Sequence, residues 1–210
     1  MIKAIIFDLD GVLVHTDNLH YLAWKKMADH ENIYFDKEIN NRLRGVSRME
    51  SLEIILERAK KEYSLEQKHQ LAELKNDLYK ESLKQLSPLD IEPDVLAFLH
   101  SLLKRGIRMA IGSSSKNAKM ILQQIGIIDL FEAISDGTNI TRSKPDPEVF
   151  IKASQMLNVP IAECAVVEDA KAGIDAANAG GFLSIGIGDA ANYDATKVKV
   201  VKLSEILKIV

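Results

Sequence analysis

Two periodicities divide this chain. Mostly apolar runs at residues 2–7, 108–111, 133–134, 165–167 and 183–187 are short and read as buried strands. Between the later runs, apolar positions recur at helical spacing over 95–105, 116–125 and 147–157. Strand alternating with helix predicts parallel βαβ units in a doubly wound α/β sheet of Rossmann type. Residues 17–86 follow a different pattern. They hold no strand signal, only amphipathic helical stretches at 19–30, 50–62 and 66–86, with no proline and a single glycine, Gly45. Prolines return at Pro88 and Pro93, where helix gives way to connector. The pattern therefore predicts an α/β core of residues 1–15 and 92–210, with a small helical cap of residues 16–91 inserted after the first strand. Connectors at 14–16 and 87–92 would join the two, as a hinge between a lid and its base requires.

Composition narrows the class. With 47% hydrophobic and 27% charged residues, the 210-residue chain has the balance of a soluble globular protein. A net charge of −3, with basic residues scattered among acidic ones, gives no basic face for nucleic acid or a membrane surface. No apolar run approaches the ~18 residues of a membrane span. The opening segment runs straight into acids, unlike a signal peptide. The one cysteine, Cys164, lies in an apolar run and reads as a packing residue. A reducing, cytoplasmic setting and a monomer are the corresponding expectations.

Candidate chemistry sits where strands end. The first run leads directly into Phe7-Asp8-Leu9-Asp10-Gly11-Val12. Strand periodicity puts Asp8 and Asp10 on one side, at the carboxyl edge where open α/β sheets bind ligands. Two acids in one small volume repel unless a cation or a proton lies between them. One can then act as nucleophile and the other as proton donor and acceptor. After the second run comes Gly112-Ser113-Ser114-Ser115-Lys116-Asn117, whose hydroxyls and helix-start amides suit an anion; taken alone, it reads as a helix cap. In Ser143-Lys144-Pro145-Asp146-Pro147 the prolines restrict Lys144 and set the entry of the next helix, which suits a cation held against a phosphate. Finally, Glu168 and Asp169 end the apolar run Ala165-Val166-Val167, and a helix follows. If their two strands are neighbours, Asp8 and Asp169 supply the carboxylates that Mg²⁺ takes, together with water and phosphate oxygen.

In order, spacing and residue type these four segments resemble the motifs of the haloacid-dehalogenase superfamily of aspartate-nucleophile phosphotransferases. A narrower resemblance, to the β-phosphoglucomutase branch, rests on Thr16, His20 to Trp24, Gly45-Val46-Ser47-Arg48, Glu50-Ser51-Leu52, Lys75-Asn76 and Ser113 to Asn117. The resemblance implies the following roles. Asp8 attacks the phosphoryl group, and Asp10 protonates the leaving oxygen and deprotonates the incoming hydroxyl. Mg²⁺ is held by Asp8, the backbone carbonyl of Asp10 and Asp169, with Glu168 nearby. Ser113 and Lys144 grip the transferring phosphoryl oxygens. Arg48 holds the distal phosphate, with Ser115, Lys116 and Asn117 on the core side. Gly45, Val46, Ser47, Asn76 and Ser114 belong to the same substrate surface. His20 and Lys75 position Asp10 or the sugar, Trp24 packs beside them, and Thr16 sits at the hinge.

The implied activity is Mg²⁺-dependent interconversion of β-D-glucose 1-phosphate and glucose 6-phosphate, through β-glucose 1,6-bisphosphate and an aspartyl phosphate. A sugar-phosphate phosphatase of the same superfamily is the alternative. Two departures from the branch stand out. His15 occupies a position where an acid is common, and Asp136-Gly137-Thr138-Asn139 replaces an acid-proline turn.

Overall fold

The computed structural model describes residues 1–44 and 46–210; Gly45 lies outside the described residues. Six strands form the sheet among those described: β1 (Ala4–Phe7), β2 (Arg108–Gly112), β3 (Ala133–Ser135), β4 (Cys164–Glu168), β5 (Leu183–Gly186) and β6 (Val198–Lys199). They lie in the order β3-β2-β1-β4-β5-β6, every neighbouring pair parallel. This is the doubly wound order that the alternating pattern predicts. The chain leaves β1 toward β2 on one side and returns as β4 on the other, so a crevice opens at the carboxyl ends of β1 and β4.

Alternation along the central strands builds two apolar layers. Ile5 and Phe7 of β1, Met109 and Ile111 of β2 and Ala165 and Val167 of β4 face one cluster. There they meet Val95, Phe98, Leu99 and Leu102 of α5 (Pro93–Lys104) and Ile121 and Leu122 of α6 (Ala118–Gln124). Ala4, Ile6, Ala110, Cys164 and Val166 face the opposite cluster, against α7 (Glu148–Leu157) and α8 (Lys171–Ala179). Burial on both faces explains why these strands read as continuous apolar runs.

Among the described residues, four α-helices lie between β1 and α5: α1 (Asp17–His30), α2 (Lys37–Asn41), α3 (Arg48–Leu56) and α4 (Leu65–Leu83). They enclose a cluster of their own, including Trp24, Met27, Phe35, Ile39, Leu52, Ile55 and Leu71. Tyr79 and Leu83 of α4 and Ala23 of α1 instead join the sheet's cluster, so the base of the helical layer rests on the core.

Some boundaries differ from the sequence expectation. The helix expected over 50–62 starts earlier, at a capping box of Ser47 and Glu50, and stops at Leu56. Its apolar positions end there, and the i→i+3 bonds from Arg58 N to Ile55 O and Ala59 N to Leu56 O close it as a tight turn. Helix α2 has one buried residue, Ile39, too few to show a period, and is set by its Asp36 cap. Strand β6 is two residues long and carries no pattern of its own. Among the described residues no helix is long and apolar enough to cross a membrane.

Candidate active site

The first carboxylate is placed by the last ladder bond of β1, in which Asp8 N donates to Val167 O at 2.9 Å. The chain then turns tightly, with Leu13 N donating to Leu9 O and Gly11 N to Val14 O. Gly11 has φ +83°, and a Cβ there would stand 2.1 Å from Asp169 Oδ2, so glycine is required both for the turn and for the approach of Asp169. Lys144, 1% exposed, reaches in from the loop before α7, with its Nζ 2.5 Å from both Asp8 Oδ1 and Glu168 Oε1. The other Glu168 oxygen accepts from the amides of Asp169 and Ala170, each at 3.0 Å. Helix α8 can pass this carboxylate only because Gly173 lacks a side chain: a Cβ would fall 1.9 Å from it.

Asp8, Glu168 and Asp169 thus bring ligand oxygens within 4.8 Å of one another, all buried. Burial raises the Asp8 carboxyl well above its ordinary range; Lys144 opposes, while Glu168, Asp169 and Asp10 add to it. Burial and Glu168 likewise lift Asp169 to about 7, against the pull of Arg44. Burial works against the Lys144 charge, but its two carboxylate partners outweigh this and hold it protonated. The Lys144 ammonium and, at Asp169, the Arg44 guanidinium face three crowded carboxylates, and hard oxygen donors of this kind fit Mg²⁺. The Asp10 side chain is not part of this group. It accepts from the Thr16 hydroxyl through Oδ1, and its Oδ2 lies 4.0 Å from His20 Nε2.

Burial also raises Asp10 to about 6, partly offset by the Thr16 bond. Around it, α1 and α4 supply a compact polar group. Lys75 Nζ lies 2.9 Å from His20 Nδ1, 4.9 Å from the Trp24 ring centre and 4.5 Å from that of Tyr79. Burial, with Lys75 and Arg48 nearby, pushes the His20 imidazole well below its usual range, and burial with Arg48 lowers Lys75 to about 7. A neutral His20 can accept at Nδ1 and present its Nε2–H toward Asp10. In isolation Lys75 and Asn76 have the look of solvated helix face. The structure buries them, at 3% and 4% exposure, and so makes them interior polar groups.

Farther along the same cleft, Arg48 donates to Glu73 Oε1 at 2.9 Å and to Asn76 Oδ1 at 2.8 Å. Asn117 Nδ2 donates to that same Asn76 oxygen at 3.1 Å, linking α4 to the loop before α6. In that loop the amides of Ser115 and Asn117 are taken by the hydroxyls of Ser113 and Ser115. The amides of Ser115 and Asn117 are thus not free for an anion, in keeping with the cap reading of this segment; α6 itself begins only at Ala118 and is seven residues long. Gly137 N donates to Ser115 O at 3.1 Å, a bond that a proline in that turn could not make. Val46, Ser47, Ser114, Ser115 and Lys116 also line the cleft, whose volume is about 990 Å³. Thr16 is buried beneath it, and His15 is exposed beside the connector.

Two residues escape a sequence reading. Arg44 pairs with Asp169, and with Asp189 at 2.6 Å, bridging the segment after α2 to the sheet's edge. Tyr79 is fully buried beneath His20, the two rings 4.0 Å apart. An arginine before a glycine and a tyrosine on an amphipathic helix carry no local signal of either contact.

Comparison with known proteins agrees with this architecture. Residues 2–181 match the haloacid dehalogenase-like hydrolase family. A β-phosphoglucomutase of Bacillus subtilis (strain 168) is 44% identical over 188 residues, spanning 89% of this chain and 83% of that protein. A phosphorylated carbohydrates phosphatase of Thermotoga maritima is 29% identical over 99% of this chain and 97% of its own length. The crystal structure of β-phosphoglucomutase from Clostridium difficile superposes with a TM-score of 0.92 at 38% identity, covering 98% of this chain and 93% of that one. With a family match along most of its length, and with its carboxylates gathered at the mouth of a doubly wound sheet, the chain belongs to the haloacid dehalogenase-like hydrolases.

Proposed function

We propose that this protein interconverts β-D-glucose 1-phosphate and glucose 6-phosphate, with β-glucose 1,6-bisphosphate and a phosphorylated Asp8 as intermediates. The observation that carries the reading is a single cleft lined on one side by Asp8, Lys144, Glu168 and Asp169, and on the other by His20, Arg48 and Lys75. The first group suits phosphoryl transfer, and the second suits a sugar that carries another phosphate. The 44% identity to a β-phosphoglucomutase, over 89% of this chain, supports the same substrate.

In the proposed cycle, phosphorylated Asp8 gives its phosphoryl group to the C6 oxygen of β-glucose 1-phosphate while Asp10 removes the hydroxyl proton. The bisphosphate then turns in the cleft. Asp8 attacks the C1 phosphorus, the bond from phosphorus to O1 breaks, and Asp10 returns the proton to O1, leaving glucose 6-phosphate and phosphorylated Asp8. Asp8, Asp169 and the Asp10 carbonyl would hold Mg²⁺, with Glu168 behind them; when bound it offsets the repulsion between carboxylate and phosphate. Lys144 and Ser113 hold the transferring oxygens, because a loose phosphoryl transfer asks chiefly for positioning and charge neutralisation. Arg48, Ser115, Lys116 and Asn117 hold the other phosphate, and residues 16–91 act as the lid that excludes water. A phosphatase of the same family is the second reading, favoured by the 29% identity to a carbohydrate phosphatase over almost the whole chain.

A coupled assay separates them. With β-glucose 1-phosphate, Mg²⁺ and a trace of bisphosphate, the mutase reading expects glucose 6-phosphate with little free phosphate, and loss of turnover in EDTA. Stoichiometric free phosphate without glucose 6-phosphate would overturn it.

A further inference from the structure

Arg48 already holds an anion. Its Nη2 donates to Asn76 Oδ1 at 2.8 Å and its Nη1 to Glu73 Oε1 at 2.9 Å. Both partners lie on α4, three positions apart and so on one face of that helix. They differ in kind. Asn76 is 4% exposed and its oxygen also accepts from Asn117, so its bond belongs to the joint between α4 and the core. Glu73 carries a full charge on a side chain 65% exposed, at the wall of the same cavity. Its carboxylate can turn into water at little cost, whereas a buried amide oxygen cannot. The Arg48 side chain is itself only 19% exposed; burial works against its charge, while Glu73 and Asp77 support it. A guanidinium so placed needs an anion beside it, and Glu73 is the one in contact.

Phosphate offers the same kind of oxygens as a carboxylate and carries more charge. For a phosphate to take Arg48 Nη1, the bond to Glu73 must break; were Glu73 to stay, two anions would share one guanidinium and repel. We infer that Glu73 competes with the distal phosphate for Arg48, which keeps the hold on that phosphate weak and its release quick. The inference deepens the mutase reading and rests on it for its use. A bisphosphate that turns between the two transfers needs Arg48 to let one phosphate go and take the other.

The test is calorimetric titration with glucose 6-phosphate in Mg²⁺, beside steady-state kinetics, on full-length wild type, Glu73→Gln, Arg48→Ala, the double variant and Asp77→Asn. Glu73→Gln should bind roughly three- to tenfold more tightly, since binding breaks no ion pair and leaves no like charge beside the phosphate. KM for β-glucose 1-phosphate should fall in step while kcat does not rise, because a tighter hold on the ground state adds nothing to the transition state. In the Arg48→Ala background the same substitution should change Kd less than about twofold, since the contested group is gone. Asp77→Asn removes the same charge one turn farther along α4 and should leave Kd within about twofold of wild type. Glu73→Ala should reproduce the tightening, which a new bond made by glutamine would not. Unchanged or weaker binding by Glu73→Gln, or equal tightening in the absence of Arg48 or in Asp77→Asn, would overturn the inference, as would an Arg48→Ala variant that binds like the wild type. If the wild type makes no glucose 6-phosphate, the mutase reading fails, and the same titrations with inorganic phosphate decide the contest for Arg48 by themselves.

Discussion

Replacing Lys144 by methionine keeps most of the side-chain volume and removes one charge from the centre of the site. The ammonium is 2.5 Å from both Asp8 and Glu168, and all three side chains are buried. Deleting one partner of a buried ion pair costs about 3–5 kcal/mol, because the remaining charges lose their compensation without regaining water. In a chain of this size each kcal/mol moves the melting temperature by about 2–4 °C, so a fall of roughly 6–20 °C is expected in EDTA at pH 7.5. The sign of the pH dependence follows from the same charges. Burial holds Asp8 well above the ordinary carboxylate range even with Lys144 beside it, and removing Lys144 takes away the one opposing influence. The folded variant then binds more protons than its unfolded chain, so its stability falls as pH rises through and above the ordinary carboxylate range. In the wild type Lys144 stays protonated over this range, held by Asp8 and Glu168 against burial. The gap between wild type and variant should therefore be small near about pH 4 and widen toward neutrality. Thermal melts of both proteins at several pH values, with and without Mg²⁺, measure it. A variant that melts with the wild type in EDTA at pH 7.5, or a gap that does not change with pH, would refute the electrostatic account.

Two further substitutions probe other parts of the site. Gly11→Ala places a methyl group at φ +83° and 2.1 Å from Asp169 Oδ2, adding about 1–2 kcal/mol of backbone strain and displacing Asp169; calorimetric titration should show weaker Mg²⁺ binding. Arg48→Ala removes a guanidinium held by Glu73 and Asn76 at the far end of the cleft. Losing a charge-assisted bond of about 1.5–3 kcal/mol to the distal phosphate should raise KM roughly 10- to 100-fold in steady-state kinetics, and an unchanged KM would remove Arg48 from the substrate site.

The central strands and the doubly wound order were legible in the sequence because strands buried on both faces must be apolar throughout, as Ile5 and Ile6 of β1 are while facing opposite layers. The acids at the ends of β1 and β4 were legible for a related reason: charge follows directly upon an apolar run, and in a parallel sheet every such junction lies on the same edge. Short elements were not. Helix α2, with one buried residue, and β6, with two residues in all, are held by neighbours rather than by any pattern. The same limit governs the site. Sequence by itself determined which residue types stand at the strand ends, since that depends on local order along the chain. Tertiary structure alone decided that Arg44 pairs with Asp169 and Asp189, that Lys75 and Asn76 are buried, and that Tyr79 reaches Thr16 across 63 positions of sequence. Those contacts join segments whose spacing carries no period, and they arise only when the helical layer is packed against the sheet.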